Sequence, residues 1–325
     1  MSGKRQDGSR APIKPLREFL TEASPNRDCI VKLIKDNIGE GVKSIALCFR
    51  GYYASLYYRC GQLLKIESTG RTTTGIFDFN YALPYPERQT VQSMLEGLGV
   101  RFGKKYARIV LKGNGEVSAN NLKIILQTYI KLIDFWVSVK KTKGFREKDR
   151  QQQLFAVNFG KGNQTYFDIE YTEPRETLIA AGYYANAEDK IAAHKNDRGG
   201  RFDLLGLRHT DGGYILQFVE LKTTVQACGN SAGVYKHISD YKRYCDKKTL
   251  VEARKAEAAE TINLLSEIFG GQFFPEKLTK DKITDYEIIF IFTDKSVRYA
   301  EQYKDSISTD KVKIVCYDEN LNVIS

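Results

Sequence analysis

Residues 199–222, GGRFDLLGLRHTDGGYILQFVELK, constrain the chain more tightly than any other stretch. Two apolar runs, Arg201–His209 and Tyr214–Lys222, flank Thr210-Asp211-Gly212-Gly213. Asp-Gly and Gly-Gly steps between apolar runs are strong hairpin signals. With 210–213 as the loop, His209 faces Tyr214, and the same register sets Asp203 opposite Glu220 and Arg201 opposite Lys222. Directly opposed residues have Cβ atoms about 4.5–5.5 Å apart.

Two carboxylates at that separation repel. The strands are also apolar on both faces, with Phe202, Leu204, Leu205 and Leu207 on one and Ile215, Leu216, Phe218, Val219 and Leu221 on the other. Such runs read as buried strands, where an unpaired carboxylate is costly. A surface hairpin with charged ends would not need that two-sided apolarity. A hard divalent cation removes the conflict, since Mg²⁺ takes one or two carboxylates and keeps several waters. Strand alternation puts Glu220 and Lys222 on one face and turns Leu221 away. Asp203, Glu220 and Lys222 are therefore expected to converge at the open end of the hairpin.

Asp203 followed by Glu220-Leu221-Lys222 on the next strand resembles the motif of the PD-(D/E)xK nuclease superfamily, over about residues 145–317. The resemblance implies that Asp203, Glu220 and the Leu221 carbonyl hold Mg²⁺, with Mn²⁺ able to substitute. Lys222 would orient or activate the attacking water. Members often carry a helix after this strand, and Gly233–Asp246 has helical spacing, with His237 and Tyr241 at i and i+4 on one face. The pair is similar to the Gln-x-x-x-Tyr element of RecB-type members, with His237 in place of Gln. Members commonly add an acid from an upstream helix; Glu147 is the candidate and Glu170 and Glu188 are its rivals, each also readable as a solvated charge.

A length of 325 residues suggests two domains. A formal net charge of +10 favours an anionic partner. The six cysteines form no C-x-x-C pair, and the three histidines, His194, His209 and His237, are too few for a His-rich zinc centre. Scattered thiols suit a reducing cytosol. No signal-peptide pattern or apolar run of about 20 residues is present, so a cytoplasmic protein without membrane contact is expected.

Residues 1–12 read as a tail, followed by helical spacing over Ile13–Ile38 broken at Ser24-Pro25. Short β-like runs come next, at Ser44–Phe49, Tyr52–Cys60, Leu63–Glu67 and Gly75–Tyr81. Their aromatics suit a curved sheet's core, or base stacking beside Arg50, Arg59, Lys65 and Arg71. A helix over Glu87–Leu98 and a strand over Tyr106–Leu111 lead to the longest helical segment, Ala119–Lys143, apolar on more than one face. The expected organisation is an N-terminal α+β domain over 1–113, a connecting helix over 114–144 and a nuclease-like domain over 145–325, with Gly144 the alternative boundary. Within the last, the pattern suggests a helix over Phe145–Phe155 and a hairpin of Leu154–Phe159 with Gln164–Thr172. A helix over Thr249–Phe269 follows, then a parallel strand–helix–strand unit over Tyr286–Thr293, Val297–Ser306 and Lys311–Tyr317.

The fold class expected is therefore α+β or α/β, with a C-terminal mixed sheet flanked by helices, restriction-endonuclease-like by resemblance. The function it implies is Mg²⁺-dependent hydrolysis of phosphodiesters by an endonuclease of restriction or defence type, DNA being favoured over RNA. A homodimer would supply the two sites that double-strand cutting needs. A non-catalytic nucleic-acid-binding module is the competing reading, as is an RNA-directed nuclease. No G-x-G-x-x-G, G-x-S-x-G or H-E-x-x-H supports another enzyme class.

Overall fold

The structure, a computed structural model, describes residues 12–141, 146–184, 200–228, 233–275, 277–307 and 309–324. Glu188, His194, Phe145, Gly144 and the tail over 1–11 lie outside them. The chain divides into two compact units. The first runs to Lys161 and regains 264–276; the second holds Gly162–Asn263 and Lys277–Ser325.

In the first unit, α1 (Lys14–Thr21) and α2 (Pro25–Lys35) precede an antiparallel sheet. Each helix has Pro in its first turn, where the missing N–H has no intrahelical partner to lose. The strands are β1 (Ile45–Phe49), β2 (Tyr53–Tyr58), β3 (Gly61–Ser68), β4 (Thr73–Asp78), β5 (Arg101–Phe102) and β6 (Tyr106–Lys112), in the order β1-β2-β3-β4-β6-β5. α3 (Arg88–Gly97) sits between β4 and β5, and α4 (Ala119–Lys141) follows β6.

α4 buries a stripe, Leu122, Ile125, Leu126, Tyr129, Leu132, Ile133 and Val137, against the sheet's side of the unit, while Ile124 stays exposed. Tyr129 stacks on Phe77 of β4 with ring centroids 4.2 Å apart, and Trp136 meets Tyr81 edge-on. α4 falls within the first unit, which runs on to Lys161, and its apolar stripe is spent there.

α5 (Glu147–Val157) replaces the expected strand over Leu154–Phe159. Asp149, Arg150, Gln151, Gln152 and Gln153 are buried along with Leu154–Val157, so the helix is covered all round and carries no amphipathic stripe. Without a stripe, the short apolar run at its end imitates a buried strand. Lys140 pairs with Asp149 at 2.5 Å, and Arg150 donates to Gln153 at 2.9 Å.

The second unit is a mixed sheet in the order β11-β10-β9-β8-β7. Its strands are β7 (Gln164–Thr172), β8 (Arg201–Thr210), β9 (Gly213–Lys222), β10 (Ile283–Phe292) and β11 (Val312–Cys316). β7, β8 and β9 run antiparallel in turn; β10 is parallel to β9 and β11 to β10. α6 (Arg175–Ala180) follows β7, α7 (Val234–Cys245) and α8 (Lys248–Phe269) come between β9 and β10, and α9 (Val297–Ile307) between β10 and β11. The expected parallel strand–helix–strand unit is present. Overall the protein is α+β with a C-terminal mixed sheet.

The β8–β9 hairpin keeps the expected register, His209 facing Tyr214, but its ladder extends one rung further to Thr210 and Gly213. The turn shortens to Asp211-Gly212. Gly213 has φ +132°, and a Cβ there would stand 2.6 Å from the Lys282 carbonyl oxygen, so no other residue fits without a shift.

Candidate active site

β9 is the central strand of the second sheet, and alternation sends Phe218, Glu220 and Lys222 to the face that α7 covers. On α7, His237 and Tyr241 share one side of the helix and both reach Glu220. The Tyr241 hydroxyl donates to Glu220 Oε2 at 2.6 Å; His237 Nδ1 lies 3.2 Å and Lys222 Nζ 2.8 Å from Oε1. Glu220 and Lys222 are 6% and 3% exposed. A carboxylate oxygen accepts, so a neutral His237 carries its proton on Nδ1 and leaves Nε2 as an acceptor.

Burial sets the electrostatics. It pushes the Tyr241 hydroxyl well above its ordinary pKa, and the Glu220 and Asp203 charges add to that push. Tyr241 is therefore a neutral donor at any working pH. Burial also lowers the His237 pKa below 6.5, against the pull of Glu220. Tyr241→Phe removes one of three donors from a buried carboxylate, where a hydrogen bond to a charged group contributes about 1.5–3 kcal/mol. It is expected to slow cleavage by about tenfold with the fold retained, as initial rates and circular dichroism would show.

Asp203 behaves differently from expectation. The last rung of the hairpin ladder is Leu204 opposite Val219. Just past it the Asp203 carboxylate takes the backbone N–H of Leu221 at 2.7 Å. Alternation is broken here. Leu204 pairs with Val219, which faces away from α7, yet Phe202 two residues earlier packs on Phe218, Tyr241 and Tyr244 at 4.7–4.9 Å between ring centroids. The neighbouring strand breaks at the same level. Ile169 pairs with Leu204 and Tyr171 with Phe202, so Glu170 faces Asp203, and Glu170 has a left-handed φ of 53°. That conformation costs a non-glycine residue about 1–3 kcal/mol. The double break lets both strands stay paired on either side while Asp203 turns its carboxylate toward β9. Each of the two acids is thus bonded to its own protein donors.

Of the upstream acids, Glu170 is exposed at that position on β7, and Glu147 opens α5 in the first unit. Among the described residues no group of three or more His, Cys, Asp and Glu side chains gathers as a metal centre. The donor chemistry nonetheless fits Mg²⁺, which asks a protein for one or two carboxylates and completes its shell with water and phosphate oxygens. Both Glu220 oxygens are engaged, but a carboxylate has about four lone-pair sites, so they can still accept a cation. Leu221, the expected carbonyl ligand, has its side chain fully buried and its N–H on Asp203.

Several residues that shape the site escaped the sequence reading. The end of β9 is held by Ser296, whose hydroxyl donates to the Lys222 carbonyl at 2.6 Å, and by the Thr293 N–H at 2.9 Å. The Thr293-x-x-Ser296 spacing of a capping box was the available signal. Buried Glu173 accepts from Tyr244 at 2.5 Å and Tyr171 at 3.1 Å, and Arg254 Nε lies 3.4 Å away. This ties α7 to the end of β7 one turn beyond Tyr241. Lys236 and Arg243 on α7 both pair with Asp240, at 3.0 and 3.2 Å.

No helix among the described residues is long and apolar enough to cross a membrane. Comparison with known proteins gives no match: no family model, no curated protein and no solved structure matches the chain.

Proposed function

We propose that the protein is a metal-dependent nuclease, a DNA endonuclease of restriction or defence type, built on a PD-(D/E)xK-like core. The observation that carries the reading is the set of groups on one buried carboxylate: Glu220 with Lys222, His237 and Tyr241, and Asp203 one rung beyond the hairpin ladder. A purely structural ion pair would need only Lys222. Burying a charged pair is itself costly in desolvation, and three donors on one acid hold its position and charge rather than merely neutralise it.

Each residue has a task in phosphodiester hydrolysis. Asp203 and Glu220, with the Leu221 carbonyl, would hold Mg²⁺, which when bound offsets phosphoryl charge and lowers the pKa of a water. Lys222 presents an ammonium on the same face as Glu220, where it orients the attacking water and offsets developing negative charge. Tyr241 holds the Glu220 carboxylate in one orientation. His237 Nε2 can take a hydrogen bond from water or from a protonated leaving group. The net charge of +10 suits a polyanionic substrate.

The test is cleavage of plasmid and single-stranded DNA, and of matched RNA, with Mg²⁺, Mn²⁺ or EDTA. Cutting is expected with either metal and none with EDTA, and DNA is expected to be cut faster than RNA. Measurable binding without cleavage under any metal would instead favour a non-catalytic binding module.

A further inference from the structure

The first unit carries a charged feature that the hydrolytic site does not use. Residues 100–112 contain five Lys or Arg and no Asp or Glu. They form the β5–β6 ribbon at the edge of the first sheet. Within it Arg101 of β5 faces Arg108 of β6 directly, and both are exposed. Like charges opposed across a ladder destabilise it. Among the described residues no carboxylate lies within ion-pair distance of Arg101, Lys104 or Arg108; Lys112 alone reaches one, Glu22 at 3.8 Å.

Alternation gathers these groups. Ala107, Ile109 and Leu111 are buried, which leaves Tyr106, Arg108 and Lys112 together on the opposite face of β6. Tyr106 is 42% exposed, with the Lys105 ammonium 5.0 Å from its ring centroid. Edge strands often carry charge to prevent edge-to-edge pairing. That explains Arg101, but Arg108 is on the interior strand β6, hydrogen-bonded on both sides.

We propose that the β5–β6 ribbon is a docking surface for the phosphate backbone of nucleic acid. Two opposed guanidiniums without ion-pair partners among the described residues suit a ligand with regularly spaced anions, because each can take phosphate oxygens through paired N–H donors. Tyr106 beside them offers a ring face to a sugar or base. The buried residues of β6 hold the ribbon in place before binding. The identity of the polyanion rests on the nuclease reading; the surface itself does not.

The test is binding of a labelled DNA duplex in EDTA, so that no cleavage intervenes, between about 50 and 200 mM salt. Each phosphate contact contributes a slope of about −0.9 to the plot of log affinity against log salt. The double variant Arg101→Ala/Arg108→Ala is expected to flatten that slope by about 2, so that affinity falls about twelvefold less over this range than in the wild type. Its melting temperature should be equal or higher, since a repulsive pair is removed, and Arg101→Lys/Arg108→Lys should keep the slope. An unchanged slope in the Ala variant, or a wild type that does not bind DNA, overturns the proposal. The two readings fail separately. Cleavage with an unchanged slope removes the ribbon alone; a flattened slope in a protein that never cuts removes the nuclease and leaves the ribbon.

Discussion

Glu220→Gln is expected to reduce metal-dependent cleavage at least about 10²-fold, the loss typical of removing one electrostatic element from an active site. The substitution keeps the shape of the side chain and an oxygen for Tyr241 or Lys222 to bond, but removes the charge that a cation and Lys222 need. Alanine would be a poorer test. It would take from the Lys222 ammonium, 3% exposed, the carboxylate it bonds, and breaking a buried pair costs about 3–5 kcal/mol. Lys222→Met should lower cleavage by a similar factor, because it removes the ammonium bonded to Glu220 at 2.8 Å. Initial rates in Mg²⁺, with melting temperatures recorded in parallel, check both variants. A folded Gln variant that cuts within about threefold of the wild type would falsify the assignment.

The largest effect on stability is expected on the opposite face of the same sheet. Glu287 of β10 is 2% exposed and holds Arg208 through two bonds at 2.8 and 2.9 Å, Lys313 at 2.6 Å and Gln217 at 2.9 Å. It thereby joins β8, β9, β10 and β11. Burial pushes its pKa up, but the bonds from Arg208, Lys313 and Gln217 outweigh that and bring it from 4.5 down to about 2. A depressed carboxylate stabilises the folded state fully above its unfolded pKa, and that contribution is lost as pH falls through the folded one. The stabilisation should therefore be intact above about pH 5 and decline from there to about pH 2. Glu287→Ala is expected to cost about 3 kcal/mol at neutral pH, the low end for a broken buried pair, because Arg208 and Lys313 can still reach water. It should also flatten the acid limb of the stability curve. Urea unfolding at pH 7 and pH 3 measures both; equal losses at the two pH values would contradict the account.

These expectations were not equally visible in the amino-acid order. The hairpin register followed from a short turn and two apolar runs, and it holds to the residue from Leu204 to His209. That His237 and Tyr241 share one helix face followed from their i, i+4 spacing, and that Glu220 and Lys222 share one strand face followed from the alternation of β9. A helix over Phe145–Phe155 was legible, and α5 occupies Glu147–Val157; that it runs on through Leu154–Val157 in place of a strand was not, because a helix buried all round has no periodic signature. Nor did the packing of α4 follow, since apolar residues on several sides of a helix do not say which surface takes them.

The sequence alone determined which residues meet across the hairpin and which share a helix face, since both depend on hydrogen bonding and side-chain direction within a few residues. Only the tertiary structure decided how the two carboxylates are reconciled. Asp203 turns to a backbone N–H through a break matched by the left-handed Glu170 on the next strand, and Glu220 draws donors from α7. The donors arrive from different segments of the chain, so their choice depends on how strands and helix pack, which no local pattern encodes.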